Sequence, residues 1–413
     1  MSRKRAVLKV YALIVTISVI AFGSVGLAQD KNEEAENKIL KLSLQDALKI
    51  SEQNNSQVKL SMLELEKAQL AKKQLEYSDK KAKQKEEDLK ELLDELGNNL
   101  LPPDGMPDNS AIGTFSTSDF EYKYTMELGK KRADLAVKMA EKGIDATLRN
   151  IRFGVEAAYY AALSARDNLQ IMENALDRQK EILKISKAKY ELGACAKAEV
   201  LDAEVQVANA ETSLLQAQVE KEKAYINLKK LLGFDMGQEI ELTDEFEFQP
   251  LDEKVMLDDL IQEAKENRID IISAVGLCDI AQLDFELTSK VYPSNTFNYK
   301  QKEYDLEEAK VKAEDTVNSA EAEIRQTVLD LDKAEANIPL LDKTLESAQE
   351  SFRLAKLSYE AGLLRSVDVT AAEQGLRQVE LQRSQVIYSY NLMLLKLENV
   401  AYIPISNFSL LDI

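Results

Sequence analysis

Residues Tyr190–Glu204 read YELGACAKAEVLDAE, and residues Tyr359–Glu373 read YEAGLLRSVDVTAAE. Tyr, Glu, Gly, an acidic residue, Val, Ala and Glu recur in one order, at the constant offset of 169 residues that separates Tyr190 from Tyr359 and Gly193 from Gly362. Counted backward in alternating threes and fours, the first copy gives Tyr190, Ser186, Leu183, Gln179, Leu176, Met172 and Leu169, and continues to Ile144. The second gives Tyr359, Ala355, Phe352, Ala348, Leu345, Leu341 and Ile338, and continues to Ala313. Beyond each Gly the ladder resumes, from Val200 to Leu231 and from Val369 to Val400. A mostly apolar 3–4 pattern sustained this long predicts long helices packed through a heptad seam. The agreement of the two ladders in register predicts an internal duplication.

Each copy therefore reads as two long helices joined at Tyr-Glu-x-Gly. Gly193 and Gly362 stand where the ladder stops, and glycine tolerates the left-handed turn that ends a helix. Only about ten residues separate Tyr190 from Val200, so the two helices return as antiparallel neighbours. A helix from Lys130 to Glu191 would be ~90 Å long. Its alanine-rich seam buries little area per residue, which predicts lateral packing against other hairpins. Lys221 and Arg383 interrupt the seam, and long basic stems can lie along apolar surface while their heads reach water.

The 413-residue chain carries a net charge of −19, 30% charged residues, 6% aromatics and no Trp, the composition of long helices rather than of an aromatic-cored enzyme. The acidic balance disfavours nucleic acid as a partner. With no His in the chain, His-based acid–base, triad and zinc chemistry are excluded together. Gly129-Lys130 lacks the upstream glycine of a phosphate-binding loop. The reading is a non-enzyme with no catalytic, metal or cofactor site. Arg3, Lys4, Arg5 and Lys9 precede the uncharged run Val10–Ala28, which has Gly26 and Ala28 at its end. Residues 1–28 are read as a signal peptide, the competing reading being an uncleaved anchor. Cys195 and Cys278 are placed too far apart to pair within the chain.

A shorter helical unit precedes each hairpin, from Ser43 in copy one and from Met256 in copy two. Ser43 and Asp46 form a helix-start signal. The charged run ending at Leu96 reads as a solvated helix end, and residues 97–119 as a breaker-rich loop. Phe120, Tyr122, Tyr124, Met126 and Leu128 alternate with polar residues and predict one β-strand. The expected organisation is a signal peptide (1–28), an N-terminal linker (29–42), a first repeat (43–233), an inter-repeat linker (234–253), a second repeat (254–403) and a tail (404–413).

The duplicated S-L-x-x-A-L start with its Asn pair, the long helical pair and the Y-x-x-G turn together resemble the TolC-type outer-membrane efflux protein family, over residues 43–400. The resemblance implies a mainly α fold of long antiparallel hairpins. In that family three protomers form a tube, helical hairpins make a periplasmic α-barrel, and short strands close a β-barrel in the outer membrane. It further implies a homotrimer, docking to a periplasmic adaptor of the membrane-fusion type and to an inner-membrane pump. The turns would be the adaptor-docking tips, with Tyr190, Gly193, Glu199, Tyr359, Gly362 and Asp368 as candidates. Glu199 and Asp368 would form an acidic ring or, equally, cap the returning helices. The chain departs from the family in having Ser56 and Ile269 where the family has Pro. The connection Val291–Lys300 also lacks room for two membrane strands, so strands are expected to be short or absent and membrane association stays open. The leading function is a passive efflux or secretion duct, and the alternative is a non-transporting envelope scaffold.

Overall fold

The heptad ladders are helices throughout. The computed structural model describes residues 39–405, apart from 54, 100–119, 246–247, 249 and 252–255. In chain order these form β1 (Leu40–Leu42), α1 (Leu44–Gln53), α2 (Ser56–Asn99), α3 (Phe120–Glu191), α4 (Lys197–Leu232), β2 (Ile240–Leu242), α5 (Leu257–Asn267), α6 (Ile269–Ser289), α7 (Phe297–Glu360) and α8 (Ser366–Val400). Hairpins α3–α4 and α7–α8 lie against one another through α3 and α8. Farther from the turns, α2 packs on α3, α3 on α6, and α6 on α7. The seam positions named above in α7, from Ala313 to Tyr359, are all buried or half-buried. The α7 helix runs 64 residues and continues through Pro339. At 72 residues, α3 is ~108 Å long.

The extra length of α3 corrects one expectation. Residues 120–128 are the first turns of α3 and not a β-strand. Their alternation is real, because α3 begins between two neighbours. Phe120, Tyr124 and Leu128 form one face and join Ile280, Leu283 and Leu287 of α6. On another face, the Tyr122 hydroxyl donates to Asp79 of α2 (2.9 Å), beside Lys130, which also reaches Asp79 (2.5 Å). Spacings of four are multiples of two, so a helix buried on two sides imitates a strand. The charged run ending at Leu96 belongs to α2, with Asp79–Lys83 and Glu86–Lys90 pairs one turn apart, and residues 100–119 of the stretch read as a loop lie outside the described residues. Among the described residues, strand structure is confined to β1 and β2. No helix among them is long and apolar enough to cross a membrane, and residues 1–28, read as a signal peptide, lie outside the described residues.

The two short units seat on equivalent parts of the long helices. Ala47 of α1 packs with Val155 and Ala158 of α3, while Ile261 and Ala264 of α5 pack with Ala320 and Ile324 of α7. Ser43 and Asp46 cap α1 reciprocally, with Oγ–Oδ2 at 2.6 Å and Asp46 N–H to Oγ at 3.2 Å. Ser56 and Ile269 are the first residues of α2 and α6. That first helical position is where proline is best accommodated, so the departures leave the local geometry intact. Two segments read as linkers meet: β1 pairs in parallel with β2, Leu40 with Ile240 and Leu42 with Leu242. Asp244 accepts from Leu44 N–H (2.7 Å) and from the Tyr159 hydroxyl (2.7 Å), and Arg166 donates to the carbonyls of Leu242 and Asp244. Burial and the bond to Asp244 hold the Tyr159 phenol in its neutral form.

Where α3 crosses the end of α8, burial and the carboxylate of Glu398 push the Glu156 carboxyl up to about 7. The folded protein therefore holds a proton on Glu156 between about pH 4.5 and 7 that the unfolded chain releases. Stability is expected to fall as pH rises through this window. Glu156→Gln is expected to flatten that slope, as read by melting temperature against pH.

Candidate functional site at the hairpin tips

Both tips have one backbone geometry. Gly193 and Gly362 take φ of 68° and 78°. In the first tip, Gly193 N–H bonds to Tyr190 C=O (2.9 Å) and Ala194 N–H to Lys189 C=O (2.7 Å). In the second, Gly362 N–H bonds to Tyr359 C=O (3.0 Å) and Leu363 N–H to Ser358 C=O (2.9 Å). This closing pattern satisfies the last helical carbonyls, and only glycine adopts it without strain. A Cβ at either glycine would meet nothing within 4 Å, so the cost of replacement lies in the backbone alone. Gly193→Ala and Gly362→Ala are each expected to cost about 1–2 kcal/mol in denaturant unfolding, with no change in helix packing.

The side chains of the two tips differ. Tyr359 is fully buried, whereas Tyr190 is half exposed. Tyr359 joins Ile182 of α3 and Val369 of α8 in a small apolar cluster. Ser186 Oγ donates to Ile182 C=O (2.9 Å), which leaves it to accept from the Tyr359 hydroxyl at 2.8 Å. Lys189 donates to Tyr359 C=O (2.6 Å), with its ammonium 4.0 Å from the centre of the Tyr359 ring. Burial raises the Tyr359 phenol, keeping it a neutral donor. Cys195 lies in the first turn with Sγ 3.4 Å from Ser186 C=O, and burial raises its thiol. Both Cys195 and Cys278 are free.

Asp368 caps α8 by accepting from Arg365 N–H (3.2 Å), a bond that lowers its carboxyl. Its counterpart Glu199 follows Ala196, whose side chain cannot cap α4, and the Glu199 carboxylate accepts no hydrogen bond among the described residues. The two equivalent acids therefore differ: one is engaged in a cap, and the other is available at the tip.

About two turns above the Tyr359 contact, a polar cluster ties the hairpins together. Glu373 of α8 is fully buried and accepts from Gln179 Nε2 (2.8 Å) and from Arg178 Nε and Nη2 (both 3.4 Å). Arg178 also donates to both oxygens of Glu380, at 3.2 and 2.8 Å. Gln179 Oε1 is left without a partner. The sequence places Ser186 and Gln179 on the seam and Glu373 in the repeated phrase, but gives no role to Arg178, Lys189 or Glu373. The offset of 169 sets Arg178 against Ser347 and Glu373 against Glu204, so comparing the copies could not single out this pair. The available signal was a basic and an acidic residue each one place from a seam position.

Two duplicated hairpins, a short helical unit seated on each, and acid-bearing turns at one end define a long helical protomer of the duct type. The chain belongs to the outer membrane efflux protein family, which it matches over residues 130–234 and 291–401. Solved structures share its fold. The outer membrane channel CmeC of Campylobacter jejuni superposes with a TM-score of 0.63 at 15% identity, over 92% of this chain and 90% of that one. The outer membrane protein VceC of Vibrio cholerae gives 0.66 at 16% identity, over 87% of this chain and 96% of that one. A membrane protein of Pseudomonas aeruginosa gives 0.66 at 15% identity, over 92% and 96%. At these identities the likeness is one of fold. No curated protein matches the chain by sequence. By family and fold it is a TolC-like efflux duct component of the outer membrane or cell envelope, and the scaffold alternative is not favoured.

Proposed function

We propose that three copies form a helical duct through which solutes leave passively, driven by a pump in the inner membrane and joined to it by a periplasmic adaptor. Residues 43–233 and 254–403 are its two repeats, and the tips at Tyr190–Glu199 and Tyr359–Asp368 are the adaptor-facing entrance. The observation that carries this reading is the construction of the tips. Each hairpin closes on its own backbone bonds, while near the tips the hairpins meet through one small apolar cluster around Ile182, Tyr359 and Val369 and through side-chain bonds such as Tyr359 to Ser186, Lys189 to Tyr359, and Arg178 to Glu373. Splaying the second hairpin from the first would break those bonds and leave both turns folded. Tyr190, Leu192 and Leu363 expose apolar surface at the tips, which suits a docking partner. Glu199 supplies the free carboxylate of an acidic entrance, and Gly193 and Gly362 set the direction of the turns.

Fractionating the envelope and cross-linking the protein in place tests this. The expected result is a trimer in a membrane fraction that carries an adaptor with it. Recovery of a soluble monomer with no adaptor would overturn the proposal.

A further inference from the structure

The surface between α3 and α6 has a chemistry that the duct does not use. Gly276 lets the two helices close, since a Cβ there would stand 2.3 Å from Leu135 Cδ1. Beside this contact the surface opens into a groove of about 270 Å3, with Leu135, Ile271, Ile272 and Val275 as its apolar lining. At one end Lys131 Nζ lies 3.1 Å from Asp279 Oδ2. Asp134, also in the lining, is paired with Lys72 of α2 (2.7 Å). Lys138 of α3 and Lys265 of α5 complete the polar rim, both exposed and neither bonded to an acid among the described residues. Both acids of the groove are thus engaged, and two ammonium groups are left over beside apolar surface.

The internal duplication sets these lysines apart from the shared framework. An offset of 169 carries Lys138 onto Glu307. The short units are offset by 213, as Leu44 is from Leu257, which carries Lys265 onto Glu52 and Gly276 onto Leu63. Both lysines therefore stand where the other copy has an acid, and the close-contact glycine where it has a large side chain. Glu52 serves the framework, paired with Arg152 of α3. Lys265 has no such pairing. A charge that only held the shared fold has no reason to reverse its sign between copies, so the reversal belongs to this groove.

We propose that the groove binds a small amphiphilic anion, a carboxylate carrying a short unbranched hydrocarbon chain. From Lys131 to Lys138 the groove runs ~10 Å along α3. A volume of about 270 Å3 over that length is a slender space, suited to one alkyl chain and small beside the ~300–1,000 Å3 of most ligand sites. The chain lies on Ile272 and Val275, and the carboxylate takes charge-assisted bonds from Lys138 and Lys265. The apolar part sheds water on entry, and the head meets cations with no competing partner, so both halves of the ligand are needed. Because α3 belongs to the first repeat and α5 and α6 to the second, the bound ligand joins the repeats and stabilises the folded chain by mass action. The groove lies away from the hairpin tips, and the duct reading neither requires it nor fails with it.

Octanoate is the probe, with octanol and octylammonium as its uncharged and cationic counterparts. Each is titrated into the full chain by calorimetry, and melting temperature is followed in parallel. Octanoate is expected to bind saturably at one site per chain and to raise the melting temperature, with both counterparts weaker by roughly tenfold or more. Lys138→Gln with Lys265→Gln is expected to weaken octanoate by a similar factor. The melting temperature of the unliganded variant should stay essentially unchanged, because both lysines are exposed and unpaired. Val275→Asp, at a partly exposed position, puts a carboxylate into the groove and is expected to abolish binding. Equal binding of octanol overturns the anionic head. Unchanged octanoate binding in both variants overturns the site, and no saturable binding to the unmodified chain overturns the proposal as a whole.

Discussion

Replacing Arg178 by alanine is expected to lower unfolding free energy by ~3–5 kcal/mol, the usual consequence of removing one partner from a buried ion pair. Glu373 is fully buried at the contact between hairpins, and Arg178 is the only cation bonded to it among the described residues. Without the guanidinium, Glu373 keeps one neutral donor, Gln179 Nε2. Its carboxylate is then a buried charge without a countercharge, which is the costly case. The double change Arg178→Ala with Glu373→Leu removes both charges and restores apolar volume. It is expected to recover most of the loss, because a buried pair replaced as a unit is often close to neutral. A double-mutant cycle in denaturant, followed by circular dichroism, checks the sign of this coupling. Additive losses would show that the pair does not act as a unit.

Arg268→Ala should have an effect of similar size, roughly 3 kcal/mol, at the other end of the second repeat. Arg268 is fully buried in the break between α5 and α6. Its Nε reaches both oxygens of Asp270 (3.0 and 3.1 Å), Nη2 meets Glu323 of α7, and Nη1 donates to the carbonyl of Val400 (3.4 Å) at the end of α8. One side chain thus joins three helices. Asp270 and Glu323 each retain partial solvent access, so the abandoned carboxylates can rehydrate and the loss sits at the low end of the range. Arg268→Lys keeps the charge but lacks the planar fork whose separate nitrogens reach Asp270, Glu323 and the Val400 carbonyl, and an intermediate loss is expected. A melt showing equal stability for alanine and arginine at this position would contradict the argument.

The sequence was legible where physics repeats with a period. The seams, the turns at Gly193 and Gly362 and the doubling of the fold follow from spacing alone, and each corresponds to an observed helix or turn. The start of α3 was misread because Phe120, Tyr124 and Leu128 satisfy period two and period four together. Arg178, Glu373 and Arg268 escaped for another reason. Their importance comes from neighbours about 195 and 132 residues away or on different helices, and nothing in their own copy repeats it. The meeting of β1 with β2 was equally silent, since three-residue segments carry almost no pattern.

That last contact bears on time rather than on stability. Leu42 and Leu44 bond to Thr243 and Asp244, some 200 residues later in the chain. An exported polypeptide emerges from its N-terminus, so its early segments wait in an unfinished state for later ones to arrive. The first repeat cannot fasten its leading edge until residues 240–244 have crossed. By then both arms of the first hairpin are already across, and the fastening becomes a signal of completeness for that half of the molecule.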